Sequence, residues 1–199
     1  MKAFKFVFLV VFIAVLFLPY QYSQASQAQE ELKITMDKIL EILSDPSLKG
    51  EDKIEEKRAS LRKAIKKKFS FSKMSQLSLG RHWKKRNDEE KKIFSELFGQ
   101  LLEQTYISKI ESYTDEKIIF VKDYVKKKKA QVNTKIITDT IEIPIDYRMY
   151  KTKNGTWLVY DIVVEGVSLV GNYRSQFNQI LQKGSYEKLV EDIRKKVDK

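Results

Sequence analysis

Few side chains in this sequence are suited to catalysis or metal binding. Its 199 residues include one histidine, His82, and no cysteine, which excludes a histidine-rich zinc site, thiolate chemistry and a disulfide framework. Asp146 and Asp161 fall on neighbouring predicted strands and could form a pair of catalytic carboxylates. Charged strand residues are more often solvated or ion-paired, and His82, within GRHWKKR, is typical of a surface or a helix end. The residues therefore favour a function without a catalytic centre.

The second half of the chain alternates apolar and polar residues, a pattern that predicts strands. In TIEIPIDYRMY (residues 140–150) the apolar side chains fall on one face, and Pro144, which lacks a donor N–H, predicts an edge or a bulge. Four strands are expected, near residues 117–125, 130–138, 140–150 and 156–166, with turns at the four lysines 126–129 and at Lys153–Gly155.

Apolar residues recur at helical spacing before and after these strands. Four helices are predicted in the first half, and the longest begins at Asn87, which can form a capping pair with Glu90. Two short helices follow the strands. Helices followed by an antiparallel meander predict an α+β domain with helices on one face of the sheet.

The first 28 residues have the pattern of a secretory signal peptide. Two lysines precede an unbroken apolar run from Phe6 to Leu18, which is shorter than the roughly 20 residues needed to span a bilayer. Small residues allow cleavage near Ala25 or Ala28. We therefore expect a periplasmic protein with a single domain over residues 29–199. Loss of the two lysines would change the formal net charge from +11 to +9.

The join between the last strand and the next helix indicates how the sheet is covered. Gly166 allows a sharp exit from the strand, and Ser168 is a candidate N-cap for the helix. That helix would lie back across the sheet, and the long helix would cover the same face from the other side. The elements predict a cone that is either filled by side chains or open to a ligand, and periodicity does not distinguish the two.

Three blocks of the sequence resemble the MlaC family, also called the toluene-tolerance auxiliary proteins. The first is FSFSKMSQLSLGRHW (residues 69–83), and the second is EEKKIFSELFGQLLEQTYISKIESY (residues 89–113). The third and most specific is IPIDYRMYKTKNGTWLVYDIVVEGVSLVGNYRSQFNQIL (residues 143–181), with its Asp-Tyr-Arg, Trp-x-Val-Tyr-Asp and Glu-Gly-Val-Ser-Leu elements. Together they extend over most of the chain that follows the signal segment.

The resemblance implies a nuclear-transport-factor-like α+β fold, in which a curved antiparallel sheet of about four strands and its covering helices enclose an apolar cavity. It implies a phospholipid carrier of the Mla pathway, not an enzyme, with phospholipid as cargo and no cofactor or metal. The implied partners are an outer-membrane lipoprotein complex and an inner-membrane ABC transporter that carries a lipid-binding ring protein. A monomer is expected, and the export signal argues against a nucleic-acid partner.

Within this resemblance, the cavity wall is expected to come from the long helix, two strands, the join and the helix after it. The lipid head group would lie near Asn172 and Arg174, just past the join. The side chains expected to contact lipid are Leu97, Leu101, Ile143, Ile145, Tyr147, Val163, Val167, Leu169, Tyr173 and Phe177.

Two other functions remain compatible with the sequence. Cones of this type also host isomerases and dehydratases that use a buried Asp and Tyr, for which Asp161 and Tyr147 are the candidates. A protein-binding adaptor that uses its basic surface would instead have a solid interior. Fold analogy alone does not choose among the three functions.

Overall fold

The computed structural model describes residues 25–113 and 116–198, so residues 1–24, which hold most of the expected signal peptide, lie outside the described residues. The helices are α1 (Gln27–Ser44), α2 (Ile54–Lys68), α3 (Phe71–Leu79), α4 (Asp88–Glu111), α5 (Leu169–Lys183) and α6 (Tyr186–Val197). The strands are β1 (Lys117–Lys126), β2 (Lys129–Ile137), β3 (Glu142–Lys151), β4 (Trp157–Val164) and β5 (Val167–Ser168). Three short 3₁₀ helices lie at Pro46–Leu48, Glu51–Lys53 and Gly80–Lys85.

The strands form one antiparallel sheet in the order β1-β2-β3-β4-β5, and the predicted α+β architecture is confirmed. The sheet has five strands instead of about four, because β5 is a two-residue strand, too short to show alternation. Glu165 and Gly166, which connect β4 to β5, both have positive φ, as in a type I′ hairpin turn. In the described part of the chain, no helix has the length and apolar character needed to cross a bilayer.

The expectation of an edge or bulge at Pro144 is wrong. Pro144 lies in β3, a strand paired on both sides, opposite Lys135 of β2. Its carbonyl accepts from the backbone N–H of Glu165, at 3.0 Å, in the turn that follows β4. Because the N–H and C=O of one strand residue point to the same side, the missing donor faces that turn, and no ladder hydrogen bond is lost.

A bulge in β4 changes which of its residues face the helices. Arg148 of β3 pairs with Asp161, but Met149 pairs with Val159, so Tyr160 is an extra residue on β4. A bulge reverses the alternation of side chains on the strand that carries it. Before the bulge, Trp157 and Val159 share the face of Met149, and after it Ile162 and Val164 share the face of Tyr147 and Ile145.

Three apolar clusters hold the elements together. Phe94 and Phe98 of α4 pack with Phe177 of α5 in a cluster made by α3, α4, α5 and α6. The N-terminal half of α1 packs on one end of the sheet, in a cluster of Ala28, Leu32, Met36, Ala130, Val132, Tyr147, Met149, Trp157 and Val159. A third and smaller cluster joins α1, α2 and α4. Helix α1 therefore covers one end of the sheet, and the apolar face of the other end remains free.

Helix ends follow the local sequence signals. Asn87 caps α4 by accepting from the backbone N–H of Glu90 at 2.8 Å, and the Glu90 carboxylate accepts from the N–H of Asn87 at 2.7 Å. This reciprocal arrangement is the predicted capping box. Ser26 caps α1 and Ser168 caps α5 through hydrogen bonds to Gln29 and Gly171. The cap at Ser168, predicted from the sequence, starts α5 immediately after β5.

Candidate functional site

A cavity of about 1770 Å³ lies between the free end of the sheet and helices α1, α2 and α4. The helices contribute apolar side chains from α1, α2, α3 and α4, and the sheet contributes a row of branched residues. The main apolar lining residues are Met36, Ile39, Leu40, Leu43, Ile65, Phe69, Phe71, Leu102, Tyr106, Ile107, Ile110, Ile118, Ile136, Ile143, Ile145, Ile162, Val164 and Leu169. The inside of the cone is therefore hollow at this end.

The cavity is large and elongated. Its volume exceeds the roughly 300–1,000 Å³ usual for small-molecule pockets. The wall follows α4 from Asp88 to Ile110, a length of about 33 Å at 1.5 Å per residue. One lipid tail spans about half of a hydrocarbon core roughly 30 Å thick. The apolar part of the α4 lining extends from Leu102 to Ile110, about 12 Å, which is close to the length of one tail, and the lining from Asp88 to Gln100 carries polar side chains.

Many inward-facing apolar side chains of the cavity are only partly buried. Ile143, Ile145, Ile162 and Val164 all retain intermediate exposure although they lie between the sheet and the helices. In a filled core, such side chains would be covered by partners from the facing elements. Here the hollow takes the place of those partners, so the sheet presents a continuous apolar wall that an apolar guest can cover.

Four of the side chains expected at the wall line the cavity: Ile143, Ile145 and Tyr147 of β3, and Leu169 at the start of α5. Val163 does not line it, because the bulge at Tyr160 turns Val163 away and brings Ile162 and Val164 to the cavity face. A strict alternation along β4, without a bulge, would have produced the opposite arrangement.

The remaining expected wall residues lie elsewhere. Leu97, Leu101, Tyr173 and Phe177 belong to the packed cluster of α3, α4, α5 and α6, because α4 directs one apolar face to those helices and another to the cavity. Val167 pairs with Val164 at the sheet edge and is 62% exposed, outside the lining.

The two expected head-group residues lie on the outer surface of α5. Asn172 and Arg174 are exposed, and neither lines the cavity. Arg174 lies over Gly80, where an added Cβ would stand 3.1 Å from its Nε. The cations that do line the cavity are on α2 and α4: Arg62, Lys66, Lys91, Lys92 and Lys109.

Asp161 and Tyr147 lie on opposite faces of the sheet. Tyr147 pairs with Ile162 and faces the cavity, whereas Asp161 pairs with Arg148 and faces away. Burial, and to a lesser degree the nearby Tyr113, raises the pKa of the Tyr147 phenol, so that the phenol is neutral. The two groups therefore do not form the acid–base pair that an isomerase or dehydratase of this fold would need.

Asp161 has a structural role at the join. The residue is 3% exposed, and its carboxylate accepts from Arg148 Nη1 at 3.0 Å, from Ser168 Oγ at 2.7 Å and from the backbone N–H of Val170 at 3.0 Å. The Ser168 hydroxyl also accepts from the N–H of Gly171 at 2.9 Å. One buried carboxylate thus connects β3, β4 and the start of α5.

The other candidates for chemistry are not assembled into a site. Asp146 accepts from Gln131 and Asn133, and His82 lies within 3.4 Å of Asn178 Oδ1. Among residues 25–113 and 116–198, no group of three or more His, Cys, Asp or Glu side chains could hold a metal ion. The cavity is therefore the feature of the described chain that is best suited to a ligand.

Sequence reasoning did not assign the wall made by α1 and α2. Met36, Ile39, Leu40, Leu43, Ile65 and Phe69 line the cavity, and all of them belong to the apolar stripes that predict these helices. The available signal was the width of the stripe on α1, which includes residues beyond those needed to pack on the sheet.

The chain is similar to known proteins in sequence and in fold. A model of the MlaC protein family matches residues 33–195. The intermembrane phospholipid transport system binding protein MlaC of Haemophilus influenzae is 26% identical over 117 residues, 56% of this chain and 55% of that protein. The chain thus spans about half the length of this curated relative.

A solved structure extends the comparison to three dimensions. The phospholipid-binding protein from Ralstonia solanacearum, solved in complex with a phospholipid, matches with a TM-score of 0.78 and 25% identity, over 87% of this chain and 98% of that one. These two relatives are named as a transport system binding protein and a phospholipid-binding protein, in agreement with the expectation of a carrier that is not an enzyme. Because the family model matches most of the chain and the fold agrees, the chain belongs to the MlaC family.

Proposed function

We propose that this chain is a periplasmic phospholipid carrier that shelters acyl chains in the cavity. The observation that carries the proposal is the hollow of about 1770 Å³ between the sheet and α1, α2 and α4, with its apolar wall. The relatives support it, since one is described as a phospholipid transport binding protein and another was solved with a phospholipid. An adaptor with a solid interior would have no such hollow.

A carrier lowers the barrier to lipid crossing by keeping the tails away from water. A diacyl lipid hides roughly 30 methylenes, whose exposure at about 0.8 kcal/mol each costs on the order of 24 kcal/mol. A barrier of that height makes unaided crossing take on the order of a day. In a cavity about as apolar as a bilayer, the lipid has nearly the same free energy as in the membrane. Transfer therefore requires no catalytic residue.

The proposed lipid contacts follow from the cavity wall. The tails would contact Ile143, Ile145, Tyr147 and Leu169, together with Ile162, Val164 and the apolar side chains of α1 and α2. The head-group phosphate would meet lysines of the lining on α2 and α4, such as Lys66 and Lys92, in place of Asn172 and Arg174. Lysine is a good partner for a phosphate at a partly solvated site.

The proposed partners are those of the Mla pathway. Lipid would be exchanged between an outer-membrane lipoprotein complex and an inner-membrane ABC transporter with its lipid-binding ring protein. Membership of the MlaC family supports this assignment. Because transfer into the cavity is nearly level in free energy, the direction of exchange would be set by these partners and not by the carrier.

We expect the exported protein to begin at Ser26, after cleavage behind Ala25. The Ser26 hydroxyl accepts from the N–H of Gln29 at 3.3 Å and caps α1, and Ala28 is fully buried. Cleavage behind Ala28 would remove both, and loss of such a cap typically costs about 1 kcal/mol. N-terminal sequencing of protein purified from the periplasm checks this. A first residue at Gln29 would contradict it.

Lipid uptake tests the proposed function. Delipidated protein is mixed with vesicles that contain a fluorescent phospholipid, and protein and vesicles are then separated. We expect the fluorescent lipid to appear with the protein. Protein that takes up no lipid from vesicles, and also carries none when it is purified, would overturn the proposed function.

A further inference from the structure

Two forked ion pairs connect α2 to α4 across the wall of the cavity. Arg58 donates from Nε and Nη2 to the two carboxylate oxygens of Glu111, at 2.8 and 3.0 Å. Arg62 donates from Nε to both oxygens of Glu103, at 2.8 and 2.7 Å, and also from Nη2. The hydrogen bond between Arg58 and Glu111 raises the pKa of the guanidinium and lowers that of the carboxyl, so both partners are charged near neutral pH.

The four residues are arranged to close a gap along its length. Arg58 and Arg62 are one turn apart on α2, and Glu103 and Glu111 are about two turns apart on α4. The pairs run in opposite order along the two helices, so they fasten the helices at two separate levels. Arg62 and Glu103 themselves line the cavity. The Arg62–Glu103 pair therefore lies at the boundary between the hollow and the solvent, whereas Arg58 and Glu111 are outside the lining.

Of the helices α1, α2 and α4, helix α2 has the fewest buried residues. Of its fifteen residues only Leu61 and Lys68 are buried, and its apolar contact with α1 and α4 is the small cluster around Leu61, Ile42 and Ile107. Helices α1 and α4 are each held by a larger cluster. The C-terminal end of α2 is held by Lys68, which donates to Glu31 at 2.8 Å and to the carbonyl of Trp157 at 3.0 Å. Segments with little buried apolar surface open at the lowest free energy, so the part of α2 before Lys68 is the part of the wall that can move away most easily.

From these contacts we infer that the gap between α2 and α4 is the route by which lipid tails enter and leave, and that the two Arg–Glu pairs are its latch. The inference rests on the proposed carrier function. A sideways opening exposes the wall of α4 between Glu103 and Ile110 at once, so a tail does not have to be threaded from one end. Partly exposed ion pairs are individually weak, so two of them can hold the gap closed and still release it transiently.

Charge reversal tests the latch. We expect Arg62→Glu and Glu103→Arg each to speed transfer of a fluorescent phospholipid from loaded protein to empty vesicles about fivefold, as expected for a partly exposed pair. The double variant re-forms the pair with its charges exchanged and should return to within about twofold of the original rate. Lys33→Glu with Asp37→Lys, an exposed pair on α1, is the matched control and should leave the rate unchanged.

Cross-linking tests the route itself. Because the chain has no cysteine, Arg58→Cys with Glu111→Cys introduces one unique pair of thiols. The two thiols would be separated by the space that the Arg58 and Glu111 side chains fill in the original chain. A short bismaleimide can span that distance and cross-link them. The protein is loaded with fluorescent phospholipid and then cross-linked. It should release its lipid to vesicles at a rate at least about tenfold lower than the same protein whose thiols are blocked with N-ethylmaleimide.

The outcomes separate this inference from the proposed function. Slow release from the joined protein, with normal release from the blocked protein, supports the route between α2 and α4. Equal release from both would overturn it while leaving the carrier function intact. If neither form ever holds lipid, the carrier function fails, and the inference fails with it.

Discussion

Ile145→Arg is expected to abolish phospholipid loading while the protein remains folded. Ile145 lies on β3 between Thr134 of β2 and Val164 of β4, and its side chain faces the cavity. The guanidinium would lie among the branched apolar side chains of the sheet wall, and placing a charge in an apolar site costs several kcal/mol. The charge would retain water in the hollow, and we expect a loss of at least about 3 kcal/mol in lipid binding, more than a hundredfold in affinity.

The control for this prediction is Ile119→Arg. Ile119 pairs with Lys135 of β2, is 48% exposed and does not line the cavity, so this variant carries the same new charge on the other side of the sheet. It should load lipid like the original chain. Equal loading of the two variants, measured by lipid extraction from folded monodisperse protein, would mean that Ile145 is not part of the wall. If Ile145→Arg does not fold, Ile145→Trp tests the same position by bulk.

Asp161→Ala is expected to reduce stability strongly and leave lipid loading of the folded protein unchanged. The substitution removes the acceptor for the Val170 N–H and the Ser168 hydroxyl, and it leaves Arg148 without its partner. Removing one partner of a buried charged network typically costs about 3 kcal/mol. For a chain of this size, that corresponds to a fall of about 6–12 °C in the melting temperature.

Asp139→Ala provides the matched control, because Asp139 is exposed in the loop before β3. Its effect on the free energy of unfolding should stay within about 0.5 kcal/mol. Thermal unfolding of the three proteins side by side is the measurement. An Asp161→Ala protein that melts with the original chain would show that the carboxylate does not hold β3, β4 and α5 together.

The elements could be predicted because each has a local cause. The capping box at Asn87 and Glu90, the cap at Ser168 and the alternation of β3 are properties of neighbouring residues, and tertiary packing did not override them. Strand β5 was missed because a strand of two residues is too short to show an alternation of apolar and polar side chains. The interpretation of Pro144 failed because the direction of its missing donor depends on where β4 ends, which is a property of the pairing.

The cavity wall was harder to predict, since it depends on which of two apolar faces each helix turns inward. Helix α4 packs against α3, α5 and α6 and also borders the hollow. Leu101 and Leu102, adjacent in sequence, both belong to the packed cluster, but only Leu102 also lines the cavity. The extra residue Tyr160 reversed the second half of β4. The alternation of apolar and polar residues does not reveal a bulge, so the sequence could not show whether Val163 or Ile162 faces the cavity.

Native mass spectrometry of the protein as purified from the periplasm tests the central claim most directly. We predict a population heavier than the bare chain by the mass of a phospholipid, which dissociates on collisional activation and is identified in an organic extract. The Ile145→Arg protein, prepared in the same way, should show the bare mass alone. A bare mass for the unaltered chain, which persists after incubation with phospholipid vesicles, would contradict the claim that the hollow shelters lipid tails.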